Sequence, residues 1–187
     1  MRAVAAAVTT GASCMVITSG PAGTLTWDDA ADALGAALEP VREHAREQGV
    51  RIVLENTSSL RLDLSFVTTL RDAVDLARRH GTGVCMEIGS CFAERGLGAT
   101  VAAAGDTIAH VQVSDFVIGS LCTPDRAVPG DGDIPLARIL GALVAAGYRG
   151  AFEVELVGPR IEEEGYESAI RRSVGYLDSL LSAAAKP

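Results

Sequence analysis

The chain has 187 residues, 48% hydrophobic and 21% charged, enough for a packed core. Its formal net charge of −8 sets aside nucleic acid and anionic membranes as partners, because both need a basic surface. No apolar run spans a bilayer, no secretory signal leads the chain, and the four cysteines form no CxxC pair; the expectation is a cytoplasmic protein with reduced thiols.

Short apolar runs alternate with longer helical patterns along residues 1–187, read as one domain. A strand is predicted over 13–18, closed by Ser19-Gly20-Pro21. Thr26 then caps a helix with acids in its first turn, running to Gln48 with a kink or break at Pro40. Next come a strand over 51–55, a helix from 64 to 80 and a strand over 83–88. A weaker helix covers 97–104, followed by the strand AHVQVSD at 109–115. A loop over 119–133 precedes a helix over 135–146, a strand over 151–156, a loop over 157–163 and a last helix over 166–184.

Such alternation predicts a parallel sheet covered by helices. An open doubly wound sheet and part of a (β/α)8 barrel both fit, but no strand is followed by the GxGxxG of a dinucleotide fold.

The period of two along the strands separates these options. Ile52 and Leu54, then Val84, Met86 and Ile88, then Val111 and Val113, then Phe152, Val154 and Leu156 form apolar faces. The opposite faces carry Glu55, then Cys85 and Glu87, then His110, Gln112 and Ser114, then Glu153 and Glu155. A parallel sheet buried on both sides should read as continuous apolar sequence. Four strands break that rule in the same way. In a barrel, the polar side is the interior and the strand C-termini form the site mouth.

Glu55, Glu87, Gln112 and Glu155 offer only oxygen ligands. Converging carboxylates repel, and a divalent cation relieves that cost. An all-oxygen set suits Mn2+ or Mg2+. The other reading pairs these glutamates with interior Arg or Lys. Glu153 and His110 lie one step deeper and read as structural, with His110 also able to orient the ligand shell.

The ordered segments LENT, MEIGS, HVQVSD, VPGDGDIP and GYRGAFEVE resemble the sugar phosphate isomerase/epimerase family, the xylose-isomerase-like TIM barrels. The resemblance covers about 12–181. It implies metal ligands at Glu55, Glu87, Gln112 and Glu155, with Glu55 and Glu155 as the catalytic acid/base pair. Gln112 stands where most members have histidine, and the hydroxypyruvate-isomerase-like branch shares the glutamine. Ser90 stands where a histidine often touches substrate. Arg126, three residues before Pro129-Gly130, matches a substrate-binding arginine; its other reading is a loop ion pair with Asp125 or Asp131. Arg126 and His110 are therefore the candidate substrate-binding residues.

The implied activity is metal-dependent isomerisation or epimerisation of a small sugar, sugar phosphate or keto acid through an enediolate. A dehydratase of a cyclic polyol and a non-catalytic incomplete barrel stay open. A (β/α)8 barrel takes about 250 residues. The predicted strands correspond to numbers four to eight, so the expectation is a barrel lacking its first three βα units. The expectation is a truncated version of a full-length enzyme; a reading frame begun too late, or a homo-oligomer or another subunit covering the open edges, are the alternatives.

Overall fold

The computed structural model describes residues 1–184. Five strands lie in the order β1-β2-β3-β4-β5, and the chain packs as two compact units. The first comprises Met1–Met86 and Thr107–His110; the second comprises Glu87–Asp106 and the chain from Val111 onward.

In the first unit, helix α1 (Arg2–Thr10) leads to β1 (Cys14–Ile17), α2 (Trp27–Glu47), β2 (Arg51–Glu55), α3 (Leu70–His80) and β3 (Gly83–Glu87), whose last residue already belongs to the second unit. Parallel pairing sets Met15 beside Ile52, and Glu55 beside Cys85. Ile52 packs with Val4 of α1, with Val41 and Ala45 of α2, and with Met15 and Ile17 of β1. The apolar face read from the sequence therefore lies under the helices. Burying side chains of this size contributes about 1.5–3 kcal/mol each.

Two local expectations change here. The helix does not break at Pro40 and continues through it as one helix of 21 residues. Proline removes one backbone donor, and the buried Ala30, Ala31 and Ala45 anchor the helix on both sides of it. The helix predicted from 64 starts at Leu70. Thr69 is extended and its hydroxyl accepts the Asp72 N–H at 3.1 Å, which makes it the cap. The residues before it are tied elsewhere: the Phe66 N–H donates to the Gly20 carbonyl at 3.0 Å and to the Ser19 hydroxyl at 2.9 Å. From Leu70 onward the buried stripe Leu70, Ala73, Val74, Ala77 follows helical spacing.

The second unit contains the short helix α4 (Ile88–Cys91), α5 (Leu97–Ala104), the C-terminal half of β4 (Ile108–Val113), α6 (Leu136–Ala145), β5 (Phe152–Val154), α7 (Pro159–Glu164) and α8 (Tyr166–Ala184). Val111, Gln112 and Val113 pair in parallel with Phe152, Glu153 and Val154. Ile88, predicted as strand, already belongs to α4. Residues 157–163, predicted as loop, hold most of α7, which starts with Pro159 and buries Ile161 against Val128, Leu156 and Ala169. Glu153, read as a deep structural residue, is exposed on the short edge strand β5.

Among the described residues no disulfide joins the four cysteines, and no helix is long and apolar enough to cross a membrane.

Candidate functional site

In the second unit two of the sequence-predicted residues, Glu87 and Glu155, meet at a third, Arg126. Glu87 ends β3 and is 1% exposed. Its carboxylate serves as the N-cap of α4: Oε1 accepts the Gly89 N–H at 2.8 Å, and Oε2 accepts the Ser90 hydroxyl. This cap turns the chain from strand to helix at Ile88 and also aims the carboxylate. Ser90 thus fixes Glu87.

Arg126 Nη2 lies 3.1 Å from Glu87 Oε2 and 3.2 Å from Glu155 Oε2. The loop ion pairs expected for Arg126 are made by other residues: Asp125 pairs with Arg160 at 3.2 Å, and Asp131 with Arg172 at 2.6 Å. The Arg126 backbone N–H donates to the Val157 carbonyl at 2.9 Å, just beyond Glu155 in sequence. Ala127 exchanges both backbone hydrogen bonds with Asp115, at 2.8 and 2.9 Å. These bonds turn the arginine toward the strand ends and away from its sequence neighbours.

Gly89 makes the close approach of Arg126 feasible. A Cβ there would lie 2.3 Å from Arg126 Nη1 and 2.8 Å from Glu87 Oε1.

The side chains of Glu87 and Arg126 are 1% and 16% exposed, and that of Glu155 is 34% exposed. Burial pushes the Glu155 carboxyl above its ordinary range. The Arg126 charge opposes that rise, and the charges of Glu87 and Glu153 add to it. Among the described residues, three polar atoms in this unit are buried without a hydrogen-bond partner: Ser114 Oγ, Asp125 Oδ1 and Arg126 Nε. Such atoms cost about 1–3 kcal/mol each unless something satisfies them.

The other predicted residues are placed as follows. Gln112 is 9% exposed and stands beside Glu153 in register. His110, in the first unit, is half-buried. Glu55 ends β2, also in the first unit, is half-buried, and its Oε1 accepts the Thr57 hydroxyl at 3.2 Å. Among the described residues no group of three His, Cys, Asp or Glu side chains is gathered to hold a metal ion.

Asp115 is a residue that the sequence reading passed over. Its buried carboxylate accepts three backbone N–H groups at 2.9 Å: Phe116 and Ile134 on Oδ1, Gly130 on Oδ2. The 129–133 loop (PGDGD) wraps onto it so closely that a Cβ at Gly132 would sit 2.3 Å from Oδ1. The available signal was an acid at the end of a polar-faced strand, followed by a glycine-rich loop whose amides need acceptors.

A family described as xylose isomerase-like TIM barrel matches residues 1–179, and the chain belongs to that family. An inosose isomerase of Halalkalibacterium halodurans is 28% identical over 141 residues, covering 72% of this chain and 49% of that protein. The chain spans about half the length of this curated relative. Among solved structures, a protein of Sinorhizobium meliloti 1021 is 28% identical with a TM-score of 0.86, over 96% of this chain and 68% of that one. The IOLI protein with a binding zinc atom is 21% identical with a TM-score of 0.83, over 100% and 69% of the two chains. An L-ribulose 3-epimerase, 20% identical, has a TM-score of 0.76 over 98% and 66%. At these identities the last two establish likeness of fold.

Proposed function

We propose that this chain carries a cytoplasmic sugar isomerase or epimerase activity, with a small sugar, sugar phosphate or keto acid as substrate. The observation that supports it best is the Arg126 guanidinium held between Glu87 and Glu155 at the ends of β3 and β5. The buried, unpartnered Arg126 Nε adds to it, because an oxygen-rich molecule could satisfy it. The presence of an inosose isomerase and an L-ribulose 3-epimerase among the similar proteins supports this reading.

In this reading Glu155 is the base. Its carboxylate takes the proton from the carbon beside the substrate carbonyl, and the electron pair moves onto the carbonyl oxygen to give an enediolate. Returning the proton to the neighbouring carbon gives an isomer; delivery to the opposite face by a second acid gives an epimer. Glu55 is proposed for that second role on its LENT segment and its place at the end of β2. Arg126 and His110 bind substrate oxygens, the guanidinium through its fork of donors.

A divalent cation, Mn2+ or Mg2+, is the group proposed for these carboxylates, because oxygens of Glu87 and Glu155 converge on one positively charged nitrogen. Gln112 and Glu55 are added to the set on their strand-end sequence positions alone. Such a cation, held by Glu87, Gln112, Glu155 and Glu55, would supply Lewis-acid polarisation of the carbonyl.

The test is a screen of ketoses, ketose phosphates and small keto acids in deuterated buffer with Mn2+, read by proton NMR. The expected result is exchange at the carbon beside the carbonyl of one class, lowered about a hundredfold or more in Glu155→Gln. Exchange that is equally fast in Glu155→Gln, or absent with every class, would overturn the proposal.

A further inference from the structure

We infer that Arg126 is a built-in counter-cation of the acidic site, seated by Gly89, and that its guanidinium and a divalent cation exclude one another at Glu87 and Glu155. This rests on the reading above that these two carboxylates hold a cation.

The first argument is charge. Two carboxylates and one guanidinium leave a single negative charge in a largely buried place. A divalent cation added beside the guanidinium would turn this into a net positive charge, whereas one taking its place would leave none. Like charges a few ångströms apart in a buried site repel by several kcal/mol.

The second argument is space. Nη2 reaches one oxygen of each carboxylate, at 3.1 and 3.2 Å, so it occupies the point on which both converge. Nη1 lies where a Cβ on residue 89 would be, and any side chain there would displace it. The third argument is freedom to leave. The backbone of Arg126 and Ala127 is pinned to Val157 and Asp115, so departure needs only side-chain rotation. Nε is already without a hydrogen-bond partner, so it has no bond to lose.

A released guanidinium can present its donors to substrate oxygens. Cation binding would thus arm the arginine, and by linkage substrate held by Arg126 would tighten cation binding.

The experiment is calorimetric titration of Mn2+ into the full chain and into Arg126→Met, Gly89→Ala and Glu155→Gln, each checked for folding by circular dichroism. Arg126→Met removes the competitor; Gly89→Ala keeps the charge but crowds Nη1, at 2.3 Å, more than Glu87 Oε1, at 2.8 Å, and so serves if the first variant fails to fold. Both are expected to bind Mn2+ about tenfold tighter than the parent, a factor equal to about 1.4 kcal/mol. Glu155→Gln is expected to lose binding. Equal affinity in the parent and in the folded competitor-free variants overturns the exclusion while leaving the cation site standing. No binding by any folded chain overturns the cation site, and the inference with it.

Discussion

Asp115→Asn should be a costly isosteric change. The carboxylate accepts from Phe116, Ile134 and Gly130, all at 2.9 Å, and is 1% exposed, so water cannot replace a lost acceptor. Asparagine has one carbonyl oxygen. If it keeps Phe116 and Ile134, its NH2 faces the Gly130 N–H, donor against donor. If it turns over, it loses the other two. In the better case one charge-assisted bond is lost, worth about 1.5–3 kcal/mol, and the remaining two fall from charged to neutral strength, about 0.5–1 kcal/mol each. The expected loss is about 3 kcal/mol. For a chain of this size that lowers Tm by roughly 6–12 °C. In urea, with a slope of about 2 kcal/mol/M, the midpoint should fall by about 1.5 M with the slope unchanged. Asp131→Asn is the control: its pair with Arg172 is exposed, at 44% and 46%, and should matter by less than about 1 kcal/mol. A midpoint shift for Asp115→Asn no larger than that of the control would refute the clamp.

Arg126→Met leaves the buried Glu87 carboxylate without its cation, and removing one partner of a buried pair costs about 3–5 kcal/mol; a urea melt at neutral pH in metal-free buffer checks it. The pH dependence of Glu155 has a definite sign. Its folded pKa is raised, so the native chain holds that proton to higher pH than the unfolded chain does. Stability from this group should fall as pH rises from about the ordinary carboxylate value through the raised one, and melts from pH 4 to 8 should show that slope flattened in Glu155→Gln.

Much of the fold is legible in the sequence because it depends on neighbours along the chain. Arg51–Glu55, Leu97–Ala104 and Tyr166–Ala184 fall where the period of two or of helical spacing puts them, since burial of one face rewards that period directly. The polar strand faces carrying Glu87, Gln112 and Glu155 were legible for the same reason, as was the family, whose segments stand in order along the chain. The misses share a cause. The start of α3 at Leu70 was decided by the ties of Phe66 to Ser19 and Gly20, 47 and 46 residues away, and α7 by what Ile161 could pack against.

The site divides in the same way. Residue type and strand position, available from the sequence, marked Glu87, Glu155 and Arg126 as candidates. Only the tertiary structure decided that Arg126 turns toward those two and leaves Asp125 and Asp131 to Arg160 and Arg172. An ion pair depends on distance in space, and that distance was set by backbone bonds from Arg126 and Ala127 to Val157 and Asp115. Ser90 and Gly89 acquired their roles likewise, one by donating to a carboxylate and the other by leaving room for a guanidinium that arrives from 37 residues further along the chain.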